Sequence, residues 1–274
     1  MIENYFTPEF LTGNNLVGDS FDFKQIEQWY KEEEEAYATL SLNDDEYLYR
    51  NINNYYGLEK LISTKKDINI LCFGAAYGGE ITAIEDILKK HSIQNYSIIM
   101  IDSSTEMLKV FSEKNKHIHT LKAQINGEIK LEENSIDLIT CFGVLHHIPN
   151  VSFILQEFHR ILKPNAIAFI REPISSMGDW RTKRYGCTIN ERGIPVNYFH
   201  KICRNTHLSI QNEQYAFFPP LIILGKKLRL TMASVTLIKL DRIFSFLFTW
   251  NVKYYRKYFL DKFAPSSCYW TLKK

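Results

Sequence analysis

Short apolar runs alternate with amphipathic stretches between residues 67 and 173. The apolar runs predict strands over residues 69–73, 97–101, 118–123, 136–142 and 166–170. The clearest amphipathic stretch is a predicted helix ending before Pro164, whose apolar face is Val151, Ile154, Leu155, Phe158, Ile161 and Leu162. This order predicts βαβ units in a mostly parallel sheet with helices on both faces.

Candidate binding residues lie at or just past the ends of these predicted strands. They are Gly74, Asp102, Phe142 and Glu172. Because right-handed crossovers place the carboxyl ends of parallel strands on one edge of a sheet, we expect these residues to lie close together. The sequence therefore predicts a ligand site at that edge.

A glycine-rich turn follows the first strand, in the segment ILCFGAAYGGE (residues 70–80). Small residues there let the backbone approach a ligand and direct helix N-terminal N–H groups towards it. A tight connection without a ligand would have the same pattern. Asp102 lies 24 residues beyond Gly78, where a carboxylate can accept hydrogen bonds from ribose hydroxyls. The other interpretation of Asp102 is an acidic residue favoured by the helix dipole.

The most specific motifs are VLHHIP (residues 144–149) and LKP (residues 162–164). Together with IDSSTEML (residues 101–108) and the glycine turn, they resemble the class I S-adenosylmethionine-dependent methyltransferase family over residues 67–173. The resemblance implies an α/β, Rossmann-like, seven-stranded sheet whose last strand, near residues 267–272, runs antiparallel. It also implies methyltransferase activity, with S-adenosyl-L-methionine as cofactor and S-adenosyl-L-homocysteine as product.

The resemblance also implies roles for individual residues. Gly74, Ala76 and Gly78 would form the loop beneath the methionine and ribose, and Asp102 would bind the ribose. Ser103 and Met107 would flank the adenine, whose amino group Gln124 could meet. Phe142 and Gly143 would line the sulfonium end. The complete predicted cofactor set is Phe73, Gly74, Ala75, Ala76, Gly78, Asp102, Ser103, Met107, Gln124, Phe142 and Gly143.

Two positions depart from the family pattern. Cys72 stands where family members usually carry an acidic residue, and Ala76 stands where they usually carry glycine. The acidic residue normally helps to hold the loop and the methionine amino group. The alternative function is therefore a class I-fold protein that binds S-adenosylmethionine without transferring a methyl group.

Three side chains are candidates for a general base, which a hydroxyl acceptor would need. His146 and His147 follow the fourth strand, and Glu172 follows the fifth. The other interpretation is structural, because the paired histidines of this family often pack and hydrogen-bond near the cofactor. We predict no metal in the site.

The segment after the fifth strand is rich in arginine and aromatic residues. Its motifs MGDWR (residues 177–181) and ERGIP (residues 191–195) resemble segments of methyltransferases encoded among bacterial surface-polysaccharide genes. Such side chains could stack on sugars or bind a phosphate, or they could form an ordinary salt-bridged cap. We predict O-methylation of a sugar, a nucleotide-sugar or a phosphate-linked glycan precursor.

Charge and cysteine content narrow the class of protein further. The formal net charge of +2 gives no indication of nucleic-acid binding. The five cysteines include no CxxC pair, and the N-terminus has no apolar signal region. We expect structural thiols and a cytoplasmic protein.

Three segments are predicted within one domain. Residues 1–66 form a helical extension or lid, with helices over 24–40 and 46–62. Residues 67–173 form the cofactor-binding core, and residues 174–274 an α-rich substrate-side cap with the closing strand. An amphipathic helix over 237–250 has Asp241, Arg242 and Ser245 on its polar face. It packs on its own domain or on a second subunit, as in a homodimer, or it lies on a membrane surface with the basic residues from 226 onwards.

Overall fold

The computed structural model describes residues 6–37, 57–75, 78–182, 184, 186–228 and 234–274. Its helices are α1 Pro8–Thr12, α2 Phe23–Tyr37, α3 Leu58–Ile62, α4 Gly79–Lys90, α5 Thr105–Lys114, α6 Val151–Ile161, α7 Val196–Asn205, α8 Pro219–Lys227 and α9 Val235–Leu247. Its strands are β1 Asp67–Phe73, β2 Asn95–Asp102, β3 His119–Lys122, β4 Ile136–Phe142, β5 Leu162–Pro173, β6 Ser209–Ala216 and β7 Ser267–Lys273. Short 3-10 turns lie at Leu145–His147, Thr249–Asn251 and Phe259–Lys262.

The seven strands form one sheet in the order β3-β2-β1-β4-β5-β7-β6. The first five strands pair in parallel, and β7 runs antiparallel between β5 and β6. The order reverses between β1 and β4, which is where parallel α/β sheets bind ligands. The predicted Rossmann-like fold with an antiparallel last strand is confirmed.

Alternate residues of β1 point into the two apolar cores, one on each face of the sheet. Ile70 packs on the face that α3, α4 and α5 cover, and its neighbour Leu71 packs on the opposite face with α6 and α7. Successive side chains of a strand point to opposite faces, so an apolar run of this length suits a strand buried on both sides. The apolar face of α6 is buried as predicted, from Val151 through Ile161.

The N-terminal segment packs over the carboxyl edge of the sheet. Phe10, Val17 and Trp29 form a cluster with Trp180 and Tyr254 from the second half of the chain. The predicted helix over 24–40 is observed as α2, whereas most of the one predicted over 46–62 lies outside the described residues. The ring contacts of Phe10 with Trp180 and Tyr254, at centroid distances of 5.1 and 5.3 Å, join the two ends of the chain.

Helix α9 buries part of the face that its sequence pattern predicts to be polar and exposed. Asp241 and Ser245, on the predicted polar face, are buried, while Ile243 and Leu247 from the apolar face are exposed. Of the predicted apolar face, Leu237 and Phe248 pack on the domain, whereas Leu240, Ile243 and Leu247 are exposed, so the expectation that the whole face packs there is wrong. Packing on a second subunit or on a membrane surface stays a prediction. No helix in the described residues combines the length and apolar character needed to cross a bilayer.

Candidate active site

The glycine turn after β1 is held by close backbone packing. Gly74 has φ +70°, and its N–H donates to the Ile101 carbonyl of β2 at 2.7 Å. A Cβ on Gly74 would lie 2.5 Å from Val144 Cγ1, so only glycine fits. Gly78, also at positive φ, would place a Cβ 2.1 Å from the Phe111 ring. Both positions require glycine for conformation and for space, while Ala76 lies outside the described residues.

The predicted adenosyl residues lie beside this turn. Asp102 ends β2, and its Oδ1 accepts the Ser104 N–H at 3.0 Å. The Ala123 N–H donates to the Asp102 carbonyl at 2.9 Å, which brings the following residue, Gln124, close to Asp102. Ser103 is exposed at the same edge. Met107 lies on α5, although its side chain is outside the described set, and the ribose and adenine roles stay predictions.

The predicted sulfonium end lies after β4. Gly143 has φ +72°, its N–H donates to the Arg171 carbonyl at 2.7 Å, and a Cβ there would lie 2.8 Å from the Arg171 guanidinium. Phe142 is buried in the α4 face of the core together with Ala75. The Phe73 ring packs edge-on against Phe158 at 5.1 Å, which leaves its backbone as the part that could contact a cofactor.

A buried acidic residue lies beside Cys72, although the family's usual acid is missing from that position. Glu80, in the first turn of α4, is 2% exposed, and the Thr140 hydroxyl donates to its Oε1 at 2.6 Å. Burial raises the pKa of Glu80 to about 7, against hydrogen bonds from Thr140 and the Cys72 thiol and the charge of Arg171, which lower it. Glu80 thus supplies from α4 a carboxylate next to the position where the strand lacks one. Its only sequence signal was its place in the first turn of a helix.

Glu172 organises the loop that carries the two histidines. It is fully buried at the end of β5, and its Oε1 accepts the N–H groups of Val144 and Leu145 at 2.9 and 2.8 Å. Its Oε2 accepts the His146 N–H at 3.3 Å and lies 2.7 Å from His146 Nδ1. These contacts are those of a residue that positions the 3-10 turn, and its predicted catalytic role stays a prediction.

His146 lies between two carboxylates. Its Nδ1 is 2.7 Å from Glu172 Oε2, and its Nε2 is 3.3 Å from Glu191 Oε1. Burial opposes protonation, but the hydrogen bonds and charges of both glutamates outweigh it and raise the pKa of His146. Burial likewise opposes ionisation of Glu172, but the hydrogen bond and charge of His146 outweigh it and lower the pKa of that carboxyl. Each of the two groups thus favours the charged form of the other.

His147 has a different environment. Its Nδ1 lies 3.0 Å from Glu33 Oε2 of α2, and its carbonyl accepts the Trp29 indole N–H at 2.7 Å. Burial lowers the pKa of His147, and the adjacent charge of His146 lowers it further. A neutral imidazole oriented by a carboxylate is the arrangement of a general base. Both Trp29 and Glu33 lie in the segment predicted as a helical extension or lid, and the sequence did not identify either as a site residue.

The Arg192 side chain connects the cap to the N-terminal segment and to the loop that carries the two histidines. Its guanidinium is fully buried and donates to the carbonyls of Val17, Leu145, His146, Ile148 and Pro149 at 2.8–3.2 Å. Arg181 forms a bidentate pair with Asp179, and Arg184 donates to backbone carbonyls of residues 188, 189 and 191. Arg181 and Arg184 therefore bond within the cap, and Arg192 joins the cap to the loop and to the N-terminal segment. The Arg181–Asp179 ion pair agrees with the interpretation of this segment as a salt-bridged cap.

The same histidine cluster has the spacing of a metal site. His146, His147 and Glu191 each offer one ligand atom, and these atoms lie within 4.8 Å of one another. Both ring nitrogens of His146, however, already lie within hydrogen-bonding distance of carboxylates. Ion pairing thus accounts for the cluster geometry, and the predicted lack of a metal stays a prediction.

Comparison with known proteins agrees with this arrangement. Residues 71–170 match the model of a family described as a methyltransferase domain. A demethylmenaquinone methyltransferase from Staphylococcus haemolyticus is 33% identical over 70 residues, which are 24% of this chain and 29% of that protein. The chain thus matches less than a third of that relative's length.

Two solved structures show a similar fold. An S-adenosylmethionine-dependent methyltransferase from Mesorhizobium loti has a TM-score of 0.54 at 15% identity, covering 82% of this chain and 100% of that one. The [4+2]-cyclase SpnF has a TM-score of 0.50 at 11% identity, covering 80% of each chain. At these identities the likeness concerns the fold alone.

Proposed function

We propose that the chain is a class I S-adenosylmethionine-dependent methyltransferase that transfers a methyl group to a hydroxyl of a small molecule. The match of residues 71–170 to the methyltransferase-domain model and the similarity of the fold to that of an S-adenosylmethionine-dependent methyltransferase support this proposal. One juxtaposition supports this proposal. The His147 loop, which contains the candidate base, follows β4 directly, and Val144 of that loop lies against Gly74 of the cofactor turn. Cofactor and base would therefore share one edge of the sheet.

The residues present fit the cofactor. Gly74, Gly78 and Gly143 allow the turns after β1 and β4 to pack closely against Val144, Phe111 and Arg171, which keeps both turns compact at the carboxyl edge. In our proposal, the carboxylate of Asp102 at the end of β2 binds the ribose. In our proposal, buried Glu80 replaces the missing strand acid and offsets the charge of the methionine ammonium. When bound, S-adenosylmethionine supplies an already activated methyl group, so the protein contributes mainly alignment and a dry pocket.

His147 is the candidate base that the geometry favours over His146 and Glu172. With Nδ1–H donating to Glu33, the Nε2 atom carries the lone pair that can accept the hydroxyl proton. Both ring nitrogens of His146 already lie against carboxylates, and Glu172 accepts three backbone N–H groups. We propose that these two position the loop while His147 moves the proton.

We propose a sugar, nucleotide-sugar or phosphate-linked glycan precursor as the acceptor, on the sequence resemblance of the cap. The guanidinium groups of Arg181, Arg184 and Arg192 already donate hydrogen bonds to other groups of the protein. Because these donors are engaged, recognition of the acceptor through its hydroxyl groups is favoured over recognition through a phosphate. A lipid-soluble acceptor is the second candidate. An apolar cavity of about 260 Å³ supports it, lined by Phe217 and Ile222 among others, and Phe217 also contacts Arg171 beside Gly143.

The test is methyl transfer from labelled S-adenosylmethionine to a panel of sugars, nucleotide-sugars and detergent-solubilised phenols. We expect kcat to rise with pH through the lowered pKa of His147 and to be constant from neutral pH upwards, because the neutral imidazole is the active form. His147→Asn should reduce kcat about 100-fold or more and remove this acid limb.

Two outcomes would contradict this function. Binding of the cofactor without transfer to any acceptor would favour the non-methylating alternative. Transfer with an unchanged pH profile in His147→Asn would exclude His147 as the base. The variant Lys116→Ala, at an exposed position before β3 and so at the opposite edge of the sheet, serves as the control.

A further inference from the structure

One surface of the molecule holds most of its exposed apolar side chains. It comprises α8, α9 and the turns that follow, residues 219–228 and 234–262, and is called the basic apolar surface below. Thirteen of the eighteen strongly exposed large apolar side chains in the described residues belong to it. Phe246, Trp250 and Phe259 are 74%, 78% and 72% exposed. Ring contacts connect Trp250 to Phe259 by way of Phe248, Phe218 and Phe263. An exposed apolar surface of this kind marks an interaction site.

The orientation of α9 that exposes this surface is fixed by a buried carboxylate. Asp241 is fully buried, and its two oxygens accept the N–H groups of Phe217 and Phe218 at 2.8 and 2.7 Å. Phe248 then stacks on Phe218 at 4.8 Å. Asp241 is therefore held inward, while Leu240, Ile243 and Phe246 of the same helix face outward.

The charge of this surface is of one sign. The described residues 219–228 and 234–262 contain eight lysines and arginines and two aspartates, although the whole chain has a net charge of only +2. Both aspartates are buried and bonded, Asp241 as above and Asp261 to Lys253 at 2.6 Å and to the Tyr258 N–H at 2.9 Å. The accessible charges here, such as Lys226 and Lys257, are thus cationic.

Exposed aromatic rings lie among these cations. Trp250, Tyr258 and Phe259 are all strongly exposed, and the Lys257 ammonium lies 5.4 Å from the Tyr258 ring centroid. Tryptophan and tyrosine are enriched at the headgroup level of bilayers, where lysine side chains meet anionic lipids. A second copy of the chain would present the same positive charge to itself across a two-fold axis, which disfavours an interface between copies.

We propose that the basic apolar surface binds the surface of an anionic lipid bilayer. Phe246, Trp250 and Phe259 insert between headgroups, and the surrounding lysines contact lipid phosphates. The apolar cavity lined by Ile222, Ile223 and Lys226 of α8 adjoins the same surface. Binding of this kind does not depend on methyl transfer.

Co-sedimentation of the full chain with vesicles tests this proposal. Vesicles of phosphatidylcholine with phosphatidylglycerol should bind the protein, vesicles of phosphatidylcholine alone should bind it several-fold less, and added salt should weaken binding. Trp250→Ser combined with Phe259→Ser should lower the partition coefficient about tenfold or more. Lys226→Glu combined with Lys227→Glu should lower binding to the anionic vesicles specifically.

The control variant is Phe23→Ser, which removes a 54% exposed ring outside the surface and should bind vesicles as the wild type does. Circular dichroism establishes that each variant is folded, and removal of exposed apolar side chains should not impair folding. The proposal is overturned if anionic vesicles fail to bind the wild type, or if Trp250→Ser with Phe259→Ser binds equally well. It is also overturned if light scattering shows a dimer that those substitutions dissociate, since the surface would then join two copies.

Discussion

At the scale of single residues, two buried glutamates perform different tasks at the carboxyl edge. Glu172 accepts backbone N–H groups and pairs with His146, which fixes the histidine loop. Glu80 accepts one hydroxyl hydrogen bond and has a pKa raised by burial to about 7. A carboxyl that ionises so close to neutrality is a suitable partner for a ligand cation.

The role of Glu80 predicts a pH-dependent cofactor affinity. The ionised form attracts the methionine ammonium, so S-adenosylmethionine should bind more tightly as pH rises through about 7. Glu80→Gln should weaken binding at pH above that value by about tenfold, as loss of a charge-assisted hydrogen bond would, and should bind with little pH dependence. Calorimetric titration across this pH range measures both effects.

The matched control is Asp86→Asn, which removes an exposed carboxylate from the same helix. It should retain the wild-type affinity and pH dependence. A wild-type pH dependence that persists in Glu80→Gln would show that Glu80 is not the group responsible.

The sequence predicted some of these residues and missed others for a physical reason. Gly74, Asp102 and Gly143 follow strand ends, and strand ends are visible in an apolar pattern. Glu80 and Glu33 act across contacts with strands or loops that lie 60 and 114 residues away. No local pattern distinguishes such a glutamate from one on a solvated face.

At the scale of secondary structure, α9 shows that amphipathic periodicity identifies a helix without identifying its buried face. The pattern indicated a helix within 237–250, and the structure has Val235–Leu247. The face is determined by Asp241, whose pKa is raised by burial although two backbone N–H groups oppose the shift. Strand β6 was not predicted from the sequence, because it is a polar edge strand, SIQNEQYA, without an apolar run. In the sheet it pairs only with β7.

Removal of the Asp241 carboxylate should therefore destabilise the protein without affecting the cofactor site. Asp241→Ala leaves the N–H groups of Phe217 and Phe218 without acceptors, and should lower the free energy of unfolding by about 1–3 kcal/mol. Urea denaturation measures this loss, and S-adenosylmethionine affinity should stay at the wild-type value. Lys239→Ala, on the exposed side of α9, is the control, and equal stability of the two variants would contradict the assigned role.

In the molecule as a whole, α2 from the N-terminal segment and the cap from the second half of the chain both contact the loop that carries His146 and His147. α2 contributes Trp29 and Glu33, the cap contributes Glu191 and Arg192, and β7 closes the sheet beside β5. The alternation of apolar runs and amphipathic stretches predicted the central parallel sheet, and the family resemblance implied its antiparallel last strand. It did not predict how the flanking segments close over the site, because those contacts are polar and join distant residues.

The central claim is that S-adenosylmethionine binds at the carboxyl edge, with its ribose on Asp102. Calorimetric titration of the wild type, Asp102→Ala and Asp67→Ala tests it most directly, since Asp67 is an exposed carboxylate at the opposite end of the sheet. We predict that the wild type and Asp67→Ala bind both S-adenosylmethionine and S-adenosylhomocysteine. Asp102→Ala should bind them about tenfold or more weakly, a loss of about 1.5–3 kcal/mol. An unchanged dissociation constant in Asp102→Ala, or no binding by the wild type at millimolar ligand, would contradict the claim.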